Sequence, residues 1–481
     1  MDDIYRLLKK EYLDNMRELL GDEYEAFINS YDEEPAQGLR INTLKCASHG
    51  SEPADVYAKL RDSFGLTSVK WCDTGFYYDP VSRPGKNALH EAGLYYIQEP
   101  SAMITGQLAS DMIKDMAEIR GYLKVLDLCA APGGKTTQLA EALKGRGILI
   151  SNEPVPSRAK ILSSNVERMG ISDCLVCSGM PDELAGMFPG FFDVIVTDVP
   201  CSGEGMFRKA PETIEQWSVD NVRNCVDRDK EILKAAHEML RPGGCIIYST
   251  CTFERAENED MIEGFAKEHP GYTILQMHRL MPHKCRGEGH FAAVISRGII
   301  DTHDGDIIGG YGIDKDVKLP YDLSFDKSVG KEAKDYLNEF IGDTLTDRGR
   351  DALKGVVFAY GSNLYLAPEL LADIALNKRR LKVERPGLHL GEVKKGRFEP
   401  SHALALYLSP GMCIRTVDCE ADDDRIGRYI AGESLDCDTT LAGYGLITAG
   451  GYSVGWGKAV QGTFKNHYPK GLRRMIRDNK T

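Results

Sequence analysis

Two cysteines in this sequence stand where a thiol can do chemistry. Residues 243–259, "GGCIIYSTCTFERAENE", begin with a glycine pair and continue as an apolar run, Cys245-Ile246-Ile247-Tyr248. Ser249-Thr250-Cys251-Thr252 closes that run, and charged residues follow at once. A second run, Val194–Thr197, delivers Asp198, then Pro200, Cys201 and the flexible Ser202-Gly203-Glu204-Gly205. An inert cysteine favours full burial. Ligands of open α/β sheets bind beyond the carboxyl ends of the strands, where Asp198, Cys201 and Cys251 would all fall. The bland alternative is a pair of small residues in separate turns.

A third stretch, "KVLDLCAAPGGKTTQLAEAL" (124–143), reads as a strand running through Cys129-Ala130-Ala131-Pro132-Gly133-Gly134-Lys135 into a helix. Small residues and paired glycines let a ligand approach the backbone at a helix N-terminus. Cys129 occupies the slot where a Walker A loop needs its first glycine, and the dinucleotide fingerprint G-x-G-x-x-G is absent. What remains is a loop for S-adenosylmethionine. The next strand, Gly147–Ser151, ends at Asn152-Glu153, where an acid can accept hydrogen bonds from two ribose hydroxyls. The bland reading is a strand–helix turn and a surface glutamate.

These residues need a scaffold. From about 89 to 300, apolar segments (KVLDL, GILIS, CLVC, FDVIVTD, GCIIYST, FAAVISR) alternate with helical stretches, which predicts a parallel, doubly wound α/β sheet. Residues 1–34 read as helical and acidic, and Leu39–Lys45 alternates like a strand. The Gly/Asp-rich segment 301–314 looks like a boundary, and short strands and turns follow it. The reading divides the chain of 481 residues at 1–88, 89–300, 301–375 and 376–481.

Composition sets bounds. A net charge of −13 argues against a polyanion-coating protein but leaves room for a local basic face. No apolar run reaches membrane-spanning length, and the N-terminus lacks the features of a signal peptide. Thirteen scattered cysteines suggest reduced thiols in a cytoplasmic protein. The one C-x-x-C, Cys174 to Cys177, lies inside a strand-like run without a second pair, so neither a zinc ribbon nor a thioredoxin motif is expected, and no metal site. Eight Lys/Arg against three Glu between 377 and 400, and seven against one acid between 458 and 480, suggest a phosphate-tracking face. His467 and Tyr468, within the second cluster, are candidates for stacking on bases, with partial burial the favoured reading.

Together, "DLCAAPGGKTTQLA", "DVPCSGEGMFRK" and "YSTCTFERAENE" resemble the Sun/Fmu family of RNA cytosine-5 methyltransferases. "YYIQEPSAM" (95–103) and "GEGHFAAVISR" (287–297) resemble that family's segments around its sheet. "LRINTLK", "RPGLHLGEVKKGRFEPSHALAL" and "GTFKNHYPKGLRR" are similar to its RsmF-like branch, which acts on small-subunit ribosomal RNA. The resemblance implies a class I methyltransferase sheet flanked by an N-terminal RNA-binding α+β domain (1–88) and a C-terminal PUA-like RNA-binding module (376–481). It implies S-adenosylmethionine bound by Cys129, Ala130, Ala131, Pro132, Gly133, Gly134, Lys135, Glu153 and Asp198. The family often has an acid near the adenine where this chain has Ser178-Gly179, so Ser178 is the expected contact there. Cys251 is implied as the nucleophile and Cys201 as the thiol that assists breakdown of the adduct, with Asp198 holding the base.

The expected activity is formation of 5-methylcytosine, with 16S rRNA or the small ribosomal subunit as partner and a monomeric, cytoplasmic enzyme. A tRNA substrate remains an alternative. A DNA cytosine-5 methyltransferase would use the Pro-Cys thiol and leave Cys251 without a task. A non-catalytic ribosome-assembly factor would need neither thiol.

Overall fold

The computed structural model describes residues 4–298, 322–378 and 380–473. The Gly/Asp-rich segment at 301–314 and the bases at 379, 474, 477 and 480 lie outside the described residues.

An eight-stranded sheet carries the site. Its strands are β1 (Leu123–Asp127), β2 (Gly147–Asn152), β3 (Cys174–Cys177), β4 (Phe192–Asp198), β5 (Leu240–Thr250), β6 (Tyr272–Leu280), β7 (His290–Arg297) and β8 (Val383–Arg385). Their spatial order is β6-β7-β5-β4-β1-β2-β3-β8. The five from β3 to β5 are parallel, whereas β7 and β8 run antiparallel to them and β6 pairs antiparallel with β7 at one edge. The sheet is therefore mixed rather than wholly parallel. An edge strand needs no crossover helix, and β6 escapes the sequence reading because much of its surface is exposed, so it lacks an unbroken apolar run.

Period-2 alternation divides the core. Val125, Leu149, Val176, Val194 and Ile247 face α1 (Met103–Arg120), α2 (Gly134–Leu143) and α3 (Pro156–Arg168). Leu126, Ile150, Leu175, Ile195 and Ile246 face α4 (Val219–Met239), the helix Glu259–Glu268 and Glu369–Asn377 from the C-terminal part of the chain. Cys174 and Cys177 point to opposite faces of β3, so the C-x-x-C cannot close on one ion.

Before this sheet, a four-stranded antiparallel sheet contains Gly38–Ile41 and Tyr95–Ile97. The expected strand Leu39–Lys45 stops at Ile41, because Asn42 accepts from the backbone N–H of Leu44 and Lys45 and starts the helix Thr43–His49. After the main sheet come two five-stranded sheets, one drawing strands from Leu323 to Pro400 and one from Thr416 to Asn466. Leu39 and Ile41 share a core with Ile447 and Val454, so the first and last parts of the chain pack together.

Candidate functional site

Strand order reverses between β1 and β4, and crevices at such points receive ligands. From β1 the chain turns through Cys129–Gly133 into α2. Gly133 has φ +115°, and a side chain there would meet Leu162 Cδ1 at 3.1 Å. The turn is gripped from the β2 side. Ala130 N–H donates to Asn152 O at 2.8 Å, Asn165 to Pro132 O at 2.8 Å and Arg158 to Ala131 O at 3.0 Å. Such a fixed, glycine-bearing backbone fits a ligand that lies along it.

Glu153, buried just past β2, accepts from Val155 N–H at 3.0 Å and faces Arg158 at 3.4 Å. Ser178, one residue beyond β3, is also buried. Its hydroxyl donates to Pro154 O at 3.2 Å and its N–H to Lys382 O at 2.8 Å, so it is tied to the loop bearing Glu153.

Across the switch point, Lys135 Nζ donates to Asp198 Oδ2 at 2.6 Å. Burial raises the Asp198 carboxyl pKa most strongly, but the Lys135 ammonium, the neighbouring His290 and the hydrogen bonds from Lys135 and Ser249 together hold the value below the usual carboxylate range. Asp198 Oδ1 accepts from Ser249 Oγ at 2.7 Å. Cys201 and Cys251 follow the adjacent parallel strands β4 and β5, and their sulfurs stand 3.4 Å apart. Cys251 N–H also points at Cys201 Sγ, 3.3 Å away. The neighbouring Cys251 sulfur and burial push the Cys201 thiol well above its ordinary range, so Cys201 keeps its proton.

The structure thus brings Lys135, Asp198, Cys201 and Cys251 into one cluster, with Cys129, Glu153 and Ser178 on the β2–β3 side. Several contributors were not foreseen. His290 Nε2 lies 3.0 Å from Thr105 Oγ1 and 3.6 Å from Asp198 Oδ1. Burial and the Lys135 charge lower its pKa to about 4, so it is neutral. Arg40, within "LRINTLK", is fully buried. It pairs with Glu141 at 3.0 Å and donates to Gly134 O at 3.0 Å and Thr137 Oγ1 at 2.6 Å, fixing the turn that presents Lys135. An arginine between apolar residues in a short strand was the available signal.

The basic clusters disperse. Arg385 is buried against Glu167, and Lys378 donates to Met187 O, so both are structural. Tyr468 is buried with its hydroxyl on Glu91, which removes it from base stacking. Lys382, Lys395, Lys465 and Lys470 are exposed. Lys394 and Arg397 are exposed as well, each beside a glutamate.

A doubly wound sheet with a glycine-bearing loop and a distal acid flanking its switch point is the architecture of a class I, S-adenosylmethionine-dependent methyltransferase. Residues 118–296 match the family described as 16S rRNA methyltransferase RsmB/F. Residues 8–100 match the N-terminal domain of 16S rRNA methyltransferase RsmF, 339–408 its first C-terminal domain, and 416–474 its PUA domain. The chain is 29% identical over 496 residues to ribosomal RNA small subunit methyltransferase F of Vibrio atlanticus, covering 98% of each. It is 28% identical over 459 residues to the protein of that name from Shewanella piezotolerans, covering 92% of each. A methyltransferase homologue from Pyrococcus horikoshii superposes with a TM-score of 0.53 at 25% identity, over 61% of this chain and 97% of that one. Models of RsmB/F and RsmF domains thus match successive parts of the chain between residues 8 and 474, and the chain is an S-adenosylmethionine-dependent RNA methyltransferase. Among the described residues no helix is long and apolar enough to cross a membrane.

Proposed function

We propose that this enzyme forms 5-methylcytosine in 16S rRNA of the small ribosomal subunit, with Cys251 as nucleophile, Cys201 as the thiol that releases the product and Asp198 as the group that holds the base. The pair of sulfurs 3.4 Å apart, with Asp198 on the neighbouring strand end, carries this reading. Cytosine carbon 5 is a poor nucleophile. The Cys251 thiolate adds to carbon 6 and leaves carbon 5 as an enamine nucleophile; S-adenosylmethionine, when bound, would supply the methyl group there and leave as S-adenosylhomocysteine. Loss of the carbon-5 proton to a base and expulsion of Cys251 restore the aromatic ring. Covalent addition splits one hard step into easier ones. Two adjacent thiols resist ionising together, which suits one thiolate beside one thiol. Asp198, anionic beside Lys135, accepts from the exocyclic amine of cytosine.

The Cys129–Lys135 backbone, Glu153 and Ser178 hold the methyl donor in this reading, Glu153 through the ribose. The exposed bases of the C-terminal sheets contribute RNA affinity. The thirteen cysteines, none in a disulfide, suit a cytoplasmic enzyme. The test compares denaturing gels after reaction with 16S rRNA and with small subunits from a strain lacking the enzyme. Cys201→Ala should methylate once and leave a denaturation-resistant protein–RNA band, and Cys251→Ala should leave none. The reverse pattern would exchange the two roles. Methylation of tRNA in place of 16S rRNA would refute the substrate.

A further inference from the structure

The residues that follow the two thiols are fastened to one another and to a single buried acid. Ser202 Oγ and Thr252 Oγ1 stand 2.6 Å apart. Glu257, fully buried in the turn after β5, accepts from Ser202 N–H at 3.0 Å and from Ser202 Oγ at 2.5 Å. Because the serine proton goes to the carboxylate, the Thr252 hydroxyl donates to Ser202. On the other side of Cys201, the Arg228 guanidinium donates to Pro200 O. The Cys201 peptide is therefore held from both ends, by a cation on the carbonyl before it and a carboxylate on the amide after it.

The loop is closed further on. Gly205 N–H donates to Cys251 O at 2.8 Å, and a side chain at Gly205 would come within 2.9 Å of that oxygen. Tyr248 OH donates to Glu257 O at 2.7 Å, anchoring the acid to β5 itself. Burying an acid so deeply is costly and raises its pKa, a cost accepted where the hydrogen bonds it makes are needed. Among the described residues, every hydrogen bond of the Glu257 carboxylate goes to Ser202 in the loop of Cys201, and none goes to Cys251.

We propose that Glu257 is a positioning residue for the Cys201 thiol, so that its loss slows release of the RNA adduct rather than its formation. The inference rests on the roles given above to Cys201 and Cys251. A glutamine at 257 keeps the volume but carries one acceptor oxygen in place of two, so it cannot accept from Ser202 N–H and Ser202 Oγ together, whereas Cys251, one residue past β5, receives no bond from that carboxylate.

The test measures single-turnover methyl transfer, steady-state turnover and the denaturation-resistant band for Glu257→Gln beside Cys201→Ala, on small subunits and extracted 16S rRNA from a strain lacking the enzyme. Expected are single-turnover transfer within about 3-fold of wild type, turnover lowered roughly 10-fold or more, and a band that accumulates as it does in Cys201→Ala. The double variant Cys251→Ala/Glu257→Gln should give no band. Ser202→Ala, which removes the two hydroxyl bonds to Glu257 and Thr252 but keeps the Ser202 N–H bond, should give a weaker band and serves if Glu257→Gln does not fold. A parallel loss of single-turnover transfer and turnover without a band, in whichever variant folds, would overturn the proposal and leave Glu257 a structural acid. Wild-type turnover would overturn it as well. Absence of a band in Cys201→Ala itself would instead refute the role given to Cys201.

Discussion

The thiol site and the basic C-terminal surface are built on opposite terms. At the thiol site the polar groups are buried or half-buried and paired: Lys135 with Asp198, Ser202 with Glu257, Arg40 with Glu141. On the C-terminal sheets Lys394 and Arg397 stand in solvent and pair with glutamates two residues away along one strand, Arg397 with Glu399 at 2.7 Å. In the first region a side chain's position follows from its neighbours, and a deletion leaves a buried or half-buried polar partner behind. In the second, contributions are small, screened and nearly interchangeable. Counting charges in sequence overstates the second region and misses the first.

The largest effect that would break this contrast is at Asp198. Asp198→Asn removes the anion facing Lys135 and, with the role proposed for it, the charge on the acceptor of the base, and should lower kcat/KM by about 10²–10⁴-fold, measured as methyl transfer to 16S rRNA. A decrease of only a few fold would mean the cluster is not the site of chemistry.

Next comes Arg40. Removing one partner of a buried ion pair costs roughly 3–5 kcal/mol, so Arg40→Ala should lower the thermal unfolding midpoint. It should also weaken S-adenosylmethionine binding in calorimetry, because it frees the turn that begins α2. Unchanged stability would mean that the buried pair is dispensable.

Asp127 sharpens the contrast through pH. It is fully buried, one oxygen accepts from Thr136 at 2.6 Å, and burial raises its pKa to about 7. A carboxyl whose folded pKa lies above its unfolded value binds more protons when folded, so its contribution is full below about pH 4 and is lost as pH rises toward 7. Asp127→Asn should flatten the fall in stability across that window, followed by denaturant melts at successive pH values. A parallel curve for wild type and variant would assign the effect to other groups.

How far these regions were legible in the sequence follows the same division. The glycine loop, Asp198 and both cysteines lie on or beside strand ends, and a buried parallel strand announces itself as a short apolar run. The neighbours that hold them do not. Arg40 reaches Glu141 across 101 positions and Ser202 reaches Glu257 across 55, distances over which only the fold decides proximity. Strand β8 was invisible for a related reason: three residues pairing antiparallel with β3 from two hundred positions away carry no periodicity of their own. In the C-terminal part, Arg385 and Lys382 looked equivalent as charges, yet one is buried against Glu167 and the other is exposed.

That pair gives the smallest expected effect. Neutralising Lys382, Lys395 and Lys465 together should flatten the slope of log RNA affinity against log salt by about 0.7 to 0.9 for each phosphate no longer neutralised. Arg385→Ala should leave that slope unchanged while lowering stability. A slope that responds to Arg385 and not to the exposed lysines would invert the comparison.

The account turns on which sulfur attacks the base. RNA carrying 5-fluorocytosine cannot lose its carbon-5 substituent as a proton and should trap the adduct on the wild-type enzyme. Protease digestion of the trapped complex and mass spectrometry of the nucleotide-bearing peptide then identify the bonded cysteine. Attachment at Cys251 is the predicted result, and attachment at Cys201 would contradict it.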